Sequence, residues 1–311
     1  MSEEAVLHTV GGHRPPEGGE VSIVVARDGV PLRVARWPRA TTEQTRGTIF
    51  LLHGRTEFVE KYYEVIEELR ARGWAVVTFD WRGQGLSGRM LDDRQKGHVS
   101  DYAEFVADAA EIYEQMVLPD MPGPHILLGH SMGGHLGLRL VQECPGRLDR
   151  AVLTAPMLGF DRLPLPVMRA ITGMQVTLGL GDRYTWLQKE LDLDNPVNVV
   201  TTDEERFARN QAFLLEIPDL RLGGPTWAWL HQAAVSTQLV LDARRLEALK
   251  VPVLVASAER DTVVSSACHA VLPDRSRLVR VESIADAKHE ILQETDEIRG
   301  RFWKHFDEFV A

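Results

Sequence analysis

Short apolar runs alternate along most of this chain with segments whose apolar residues recur every three or four positions. The first paired signal is "VSIVVA" and "PLRVARW" about Asp28-Gly29, which predicts a hairpin with a two-residue turn. "GTIFLLHG" then reads as a buried strand by its continuous apolar run. Tyr62, Val65, Ile66 and Leu69 share one helical face that Gly73 ends, and "WAVVTFD" is the next strand. Phe105, Val106, Ala109, Ile112, Tyr113 and Met116 form another helical stripe, entered at Asp101 with Glu104 three positions on. "HILLGH" and "RAVLTAP" read as strands separated by a helix from about Met132 to Gln142. "VPVLVASAE" and "RLVRVES" resume the rhythm, and Ile298, Phe302, Phe306 and Phe309 line a last helix. Strand and helix alternating in this way imply a mainly parallel sheet covered on both faces.

The rhythm fails between residues 157 and 226. That stretch is rich in Leu, Pro and Gly, then helical at "DEERFARNQAFLLEI", and offers no core strand. The expected division is therefore a core of residues 1–156 and 227–311 with a helical cap, 157–226, inserted over the carboxyl ends of the strands. A small separate helical domain without a catalytic role is the alternative. The first twenty residues, acidic and broken by Gly and Pro, read as a loose arm without a signal-peptide pattern.

Composition narrows the partners. A net charge of −10 over 311 residues argues against nucleic acid and offers no basic patch to anionic lipid. Cys144 and Cys268 lack metal-ligand spacing and fit a reduced, cytoplasmic protein. The apolar segment 163–181 holds two prolines, Arg169 and three glycines, which make a poor membrane span.

The chemistry centres on "HILLGHSMGGHLGLRL", where G-x-S-x-G surrounds Ser131. The pattern alone arises by chance in about one chain in ten of this length. Here it lies where a strand turns sharply into a helix, and Gly129 and Gly133 suit a crowded turn. A hydroxyl needs a base, and the base needs a carboxylate. Asp261 ends the strand "VPVLVASAE" region, and His289 follows the next strand in "VESIADAKHEIL", giving the order Ser, Asp, His. Glu259 competes with Asp261, but the pair Val263-Val264 follows Asp261 at the spacing usual for this loop. His269 and His305 fall inside predicted helices, while His53 and His130 sit at strand ends where packing explains them. Two backbone N–H groups, of Met132 and of Arg55 in "LLHGRTEF", would receive an oxyanion.

Taken together, "LLHGRTEFVEKYYEV", "FDWRGQGLSGR", "GHVSDYAEFV", "LGHSMGG", "LTAPMLG", "RLGGPTWAWL" and "AKHEIL" resemble the α/β-hydrolase family of lysophospholipases and monoacylglycerol lipases, from about residue 22 to the C-terminus. "HGRTEF" and "GGPTW" resemble its bacterial lysophospholipase branch. The resemblance implies an α/β-hydrolase fold with an eight-stranded sheet and inserted cap, an acyl-enzyme at Ser131, no metal and no organic cofactor. The implied substrate is a single-chain lipid ester, with transient membrane-surface contact through the cap. Ala258 departs from the glycine usual three residues before the acid. Arg55 replaces a small residue and leaves two roles open for its guanidinium, pairing with Glu57 or meeting a substrate phosphate. A small-ester carboxylesterase or acyltransferase would use the same residues, and a ligand-sensing protein on a hydrolase fold is the non-enzymatic alternative. An apolar lining from Leu163 to Leu180, with Trp227 and Trp229, is expected to receive the acyl chain. Headgroup and oligomeric state are not legible in the residues.

Overall fold

The computed structural model describes residues 5–38, 45–160, 163–186, 188–194 and 196–311. The strands are β1 (Glu20–Val25), β2 (Pro31–Trp37), β3 (Gly47–Leu52), β4 (Trp74–Phe79), β5 (His125–His130), β6 (Arg150–Thr154), β7 (Val253–Ala258) and β8 (Val279–Ile284). They form an eight-stranded sheet in the order β1-β2-β4-β3-β5-β6-β7-β8. The β1–β2 and β2–β4 pairs are antiparallel, and every pair from β4 through β8 is parallel. β3, β4, β5 and β7 are buried at every position, which is why their sequences read as unbroken apolar runs rather than alternations.

Helices cover both faces. α1 (Tyr63–Ala71), α2 (Tyr102–Ile112) and α3 (Met132–Glu143) follow β3, β4 and β5. The core lies in two layers, one on each side of the sheet: Phe50, Phe79, Trp81, Phe105 and Leu136 on one, Ile49, Leu51, Tyr62, Leu69, Phe302 and Phe306 on the other. Between β6 and β7 the described residues contain α4 (Leu165–Thr177), α5 (Glu204–Glu216), α6 (Trp227–Val240) and α7 (Ala243–Glu247), and no strand. α8 (Ala267–Ala270) and α9 (Asp296–Val310) complete the chain. α9 buries Ile298, Phe302, Trp303 and Phe306. No helix of the described residues is long and apolar enough to cross a membrane.

Two local expectations change. The hairpin closes over three residues, Arg27-Asp28-Gly29, with Ala26 N–H donating to Val30 O at 2.9 Å and Gly29 in the left-handed region at φ 90°. Asp28 is drawn away from a tight turn because it accepts from Arg82 Nη1 at 2.7 Å. The described part of the N-terminal arm is also pinned rather than loose. Trp37 Nε1 donates to Pro16 O at 2.9 Å, Tyr63 Oη to His8 O at 3.1 Å, and Arg33 Nη1 to Val6 O at 3.0 Å. Residues 1–4 of the arm lie outside the described residues.

Below the carboxyl end of the sheet, Arg33 is buried among carboxylates. It donates to both oxygens of Glu60 at 2.7 Å and to Asp80 Oδ2 at 2.8 Å. Burial pushes the Asp80 pKa up, but Arg33 and the nearby His53 outweigh it and bring it to about 2. The carboxylate also takes the N–H groups of Val59 and Leu86, at 2.9 and 2.8 Å, so it holds the starts of two loops beside the site. Arg33→Met should therefore lower stability by about 3–5 kcal/mol, because two acids are left buried without their cation. Denaturant unfolding measures it; a loss under about 1 kcal/mol would show the acids find other partners.

Candidate active site

Ser131 sits between β5 and α3 with φ 51° and ψ −114°, a conformation in which few non-glycine residues are found. The surroundings over-determine it. Ser131 N–H donates to Thr154 O at 3.0 Å, and its carbonyl accepts from His135 and Met157 at 2.9 and 3.0 Å. A Cβ at Gly129 would lie 2.7 Å from the carbonyl oxygen of Gly133, and one at Gly133 would strike the carbonyl oxygen of Leu52. Glycine at both positions is thus a packing requirement of the turn.

The loops after β7 and β8 bring two further side chains to this point. His289 Nε2 lies 2.9 Å from Ser131 Oγ, and His289 Nδ1 lies 2.7 Å from Asp261 Oδ2. Asp261 Oδ1 accepts from the N–H groups of Val263 and Val264 at 2.8 and 3.0 Å. Burial raises the Asp261 pKa, but the His289 hydrogen bond and charge, with those two amides, leave a net lowering. Glu259 is exposed and accepts from Asp286 N–H at 2.9 Å, so the structure brings Asp261, not Glu259, to the imidazole. His269 is occupied by Ser257 Oγ and Pro156 O, at 2.8 and 2.7 Å. A line of hydroxyl, imidazole and carboxylate lets the ring take the hydroxyl proton while the acid steadies the resulting cation.

The two amides named as oxyanion donors are those of Met132, directly after Ser131, and of Arg55, in the loop after β3. Met132 opens α3, and neither amide donates to an acceptor among the described residues. Gly133, packed on the Leu52 and His53 carbonyls, sets α3 against the loop that carries Arg55. Gln84 adds a brace, its Oε1 accepting from Thr56 N–H at 2.7 Å while its amide nitrogen lies 3.7 Å from Met132 Sδ.

Of the two roles left open for the Arg55 guanidinium, pairing with Glu57 is not the one seen. Glu57 accepts from Lys61 Nζ and Tyr62 Oη, each at 2.7 Å, and from Gly54 N–H. Lys61 also reaches Glu290 at 2.7 Å, so one buried lysine joins the Arg55 loop to the residue after His289. Burial works against its charge, yet the two acids raise the Lys61 pKa; burial, with Glu57 beside it, raises that of Glu290. Sequence reasoning missed this link. Its only local signal is the four-residue spacing of Glu57 and Lys61, common to many helices. His130, whose ring centre is 5.0 Å from that of His289, is pushed down to about 4 chiefly by burial and stays neutral. Among the described residues, no group of three His, Cys, Asp or Glu gathers to hold a metal ion.

Two concavities flank the triad. One of about 540 Å³ is lined by Phe160, Leu163, Met168, Ile171, Trp227 and Leu230, and by Thr262 and Val263, the residues after Asp261. The other, about 230 Å³, lies beside Thr56, Lys61 and Glu290 under α5. Trp227 serves the larger one, with Trp186 4.8 Å away. Trp229, expected there, is instead buried against Tyr102, 5.6 Å between rings.

The chain is similar to known proteins along most of its length. The family described as "Serine aminopeptidase, S33" matches residues 43–296. "Lysophospholipase L2" of Escherichia coli (strain K12) is 32% identical over 88% of this chain and 82% of its own length. "Monoacylglycerol lipase" of Mycolicibacterium smegmatis is 27% identical over 81% of this chain and 84% of its own. A solved soluble variant of monoglyceride lipase from Saccharomyces cerevisiae, in complex with a substrate analog, superposes with a TM-score of 0.72, at 18% identity, covering 98% of this chain and 97% of that one.

The two candidate acids can be separated by the reactivity of Ser131 toward a fluorophosphonate. Asp261→Asn should slow labelling by about 10³–10⁴, since the imidazole loses its tautomer and its counter-charge. Glu259→Gln should change it less than about two-fold, as it touches only a loop amide. The reverse order would reassign the acid.

Proposed function

The chain belongs to the serine aminopeptidase S33 family of α/β-hydrolases, and from that premise we propose that it cleaves carboxylic esters of single-chain lipids, lysophospholipids or monoacylglycerols, through an acyl-enzyme. Ser131 is the nucleophile, His289 the general base and then acid, and Asp261 its partner. The amides of Met132 and Arg55 bind the oxyanion. The observation that carries this reading is the hydrogen-bonded line from Ser131 to Asp261, with Thr262 and Val263, next to Asp261, on the lining of an apolar concavity.

The order of events follows from the geometry. Ser131 Oγ attacks the ester carbonyl as its proton passes to His289 Nε2. The tetrahedral intermediate then collapses as His289 returns that proton to the leaving glycerol oxygen. Water, activated by the same imidazole, releases the fatty acid. The described lining of the larger concavity is mainly apolar, with Phe160, Leu163, Met168, Ile171, Trp227 and Leu230, which suits an acyl chain. Residues 157–226 act as the cap. α4 buries only Met168 and Thr172, so most of its apolar residues either line the concavity or face outward.

An acyl chain in this concavity gains about 0.8 kcal/mol per buried methylene. Specificity constants should rise along an ester series from four to about twelve acyl carbons and vanish in Ser131→Ala, while esters with two long chains do worse. A flat or falling series would leave a small-ester hydrolase.

The outward residues point to the lipid surface as the place of capture. Val167 and Met174 on α4 and Leu178 just after it are 45%, 54% and 65% exposed, with Trp186 and Val197 also exposed nearby in sequence. Putting charges there, as Met174→Glu with Leu178→Glu, should weaken sedimentation with phospholipid vesicles and slow hydrolysis of vesicle-held substrate by about ten-fold or more. Turnover of a soluble butanoyl ester should be unchanged. Equal loss on both substrates would place the effect in folding rather than at the membrane.

A further inference from the structure

Three polar groups near the oxyanion loop lack partners that buried groups normally have. Arg55 Nε, Tyr102 Oη and Tyr184 Oη are all buried and make no hydrogen bond. They lie near one another: the Trp229 ring has the Arg55 guanidinium 5.2 Å and the Tyr102 ring 5.6 Å from its centre, and Tyr184 bridges to Thr226 next to Pro225, which bridges to Gly97 beside the guanidinium. No carboxylate lies within ion-pair distance of Arg55 among the described residues. Its guanidinium donates from Nη2 to the carbonyl of Gly223 and lies 5.2 Å over the Trp229 ring. Desolvation is strong enough to bring its pKa down to about 10, yet the residue keeps some accessible surface, as a group lining a crevice does.

The fold makes room for this cation rather than excluding it. A Cβ at Gly97 would lie 2.6 Å from Arg55 Nη2. Arg33, the other deeply buried arginine beside the site, is matched by two acids. A guanidinium with two free phenol hydroxyls is a set of donors, and it is complete only when an anion with several acceptor oxygens enters. We infer that Arg55, Tyr102 and Tyr184 form a recognition site for the phosphate of a glycerophospholipid headgroup, which makes lysophospholipids the preferred class within the lipid-ester function proposed above. Reach agrees with this. About five bonds separate the Arg55 Cα from its guanidinium carbon, and about six separate an acyl carbonyl carbon from phosphorus in a lysophospholipid, each bond advancing roughly 1.25 Å. An ester held at the Arg55 amide is thus long enough for its phosphate to meet the Arg55 guanidinium.

Two measurements test the assignment. The first is the ratio of specificity constants for a lysophospholipid and a monoacylglycerol of equal acyl chain, in which any shared loss at the oxyanion amide cancels. The ratio should fall at least about ten-fold in Arg55→Met and by a smaller factor in Tyr184→Phe. Lysophosphatidate and lysophosphatidylethanolamine separate a terminal phosphate from a diester; a fall on either supports the site, and an unchanged ratio on both overturns it. The second is thermal unfolding with sn-glycerol 3-phosphate, with glycerol as control. The phosphate should raise the Tm of the wild type and not that of Arg55→Met; no shift in the wild type overturns the site. This arm reads binding without ester cleavage, so it decides the matter even if no lipid ester is hydrolysed. Without ligand, Arg55→Met should match or exceed the wild-type Tm, since an unmatched buried cation is removed. A marked drop would make Arg55 a structural brace and overturn the assignment.

Discussion

The site depends on one backbone approach: α3 begins so close to the end of β3 that only glycine fits at residue 133, against the carbonyl oxygens of Leu52 and His53. That contact places the Met132 amide opposite the loop bearing the Arg55 amide. The crowding at Gly129 then leaves Ser131 its left-handed conformation, held by hydrogen bonds to Thr154, His135 and Met157. A strained residue persists only where its neighbours cannot yield. Here the neighbours are strand β3, strand β6 and helix α3, which share the sheet's core and relax little.

A second layer of constraint is ionic. Loops following different strands have no covalent reason to keep a common geometry, yet oxyanion donors and the base must agree within a fraction of an ångström. Lys61 joins Glu57, which caps the Gly54 amide, to Glu290, which adjoins His289. Asp80 ties the segment after Phe58 to the loop at Leu86, and Gln84 in that loop reaches both Thr56 and Met132. Charges are suited to this task because breaking a buried pair is costly, so the loops move together or not at all.

What could be read from residue order divides along the same line. Strands β3, β4, β5 and β7 are legible because complete burial writes them as unbroken apolar runs; Ser131 and Asp261 lie beyond two of these, and His289 follows the partly exposed β8. The structure brings those three within hydrogen-bond distance. Features that rest on pairing between distant segments were not legible. Asp28 looked like half of a two-residue turn, but Arg82 takes its carboxylate, and the hairpin opens to three residues. The Gly- and Pro-rich arm looked loose, yet Trp37, Tyr63 and Arg33 each donate to its carbonyls. Trp229 looked like channel lining and is core, because Tyr102 waits for it across α2. For Arg55 the residues left two roles open; Glu57, two positions on, is taken instead by Lys61.

The two buried arginines beside the site show how the same side chain serves opposite ends. Arg33 meets Glu60 and Asp80, so its charge is spent inside the protein and serves only to hold the loops that Asp80 anchors. Arg55 meets the Gly223 carbonyl and the Trp229 indole face, neither of which can neutralise it. Selection for stability alone would replace such a cation by an apolar residue of similar size. On the assignment proposed above, the Arg55 charge would be balanced when the substrate's phosphate arrives, whereas Arg33 has its counter-charge within the fold. The internal ion pairs are the reference for that contrast: they hold loops together, and an unmatched cation beside them would instead wait for a ligand.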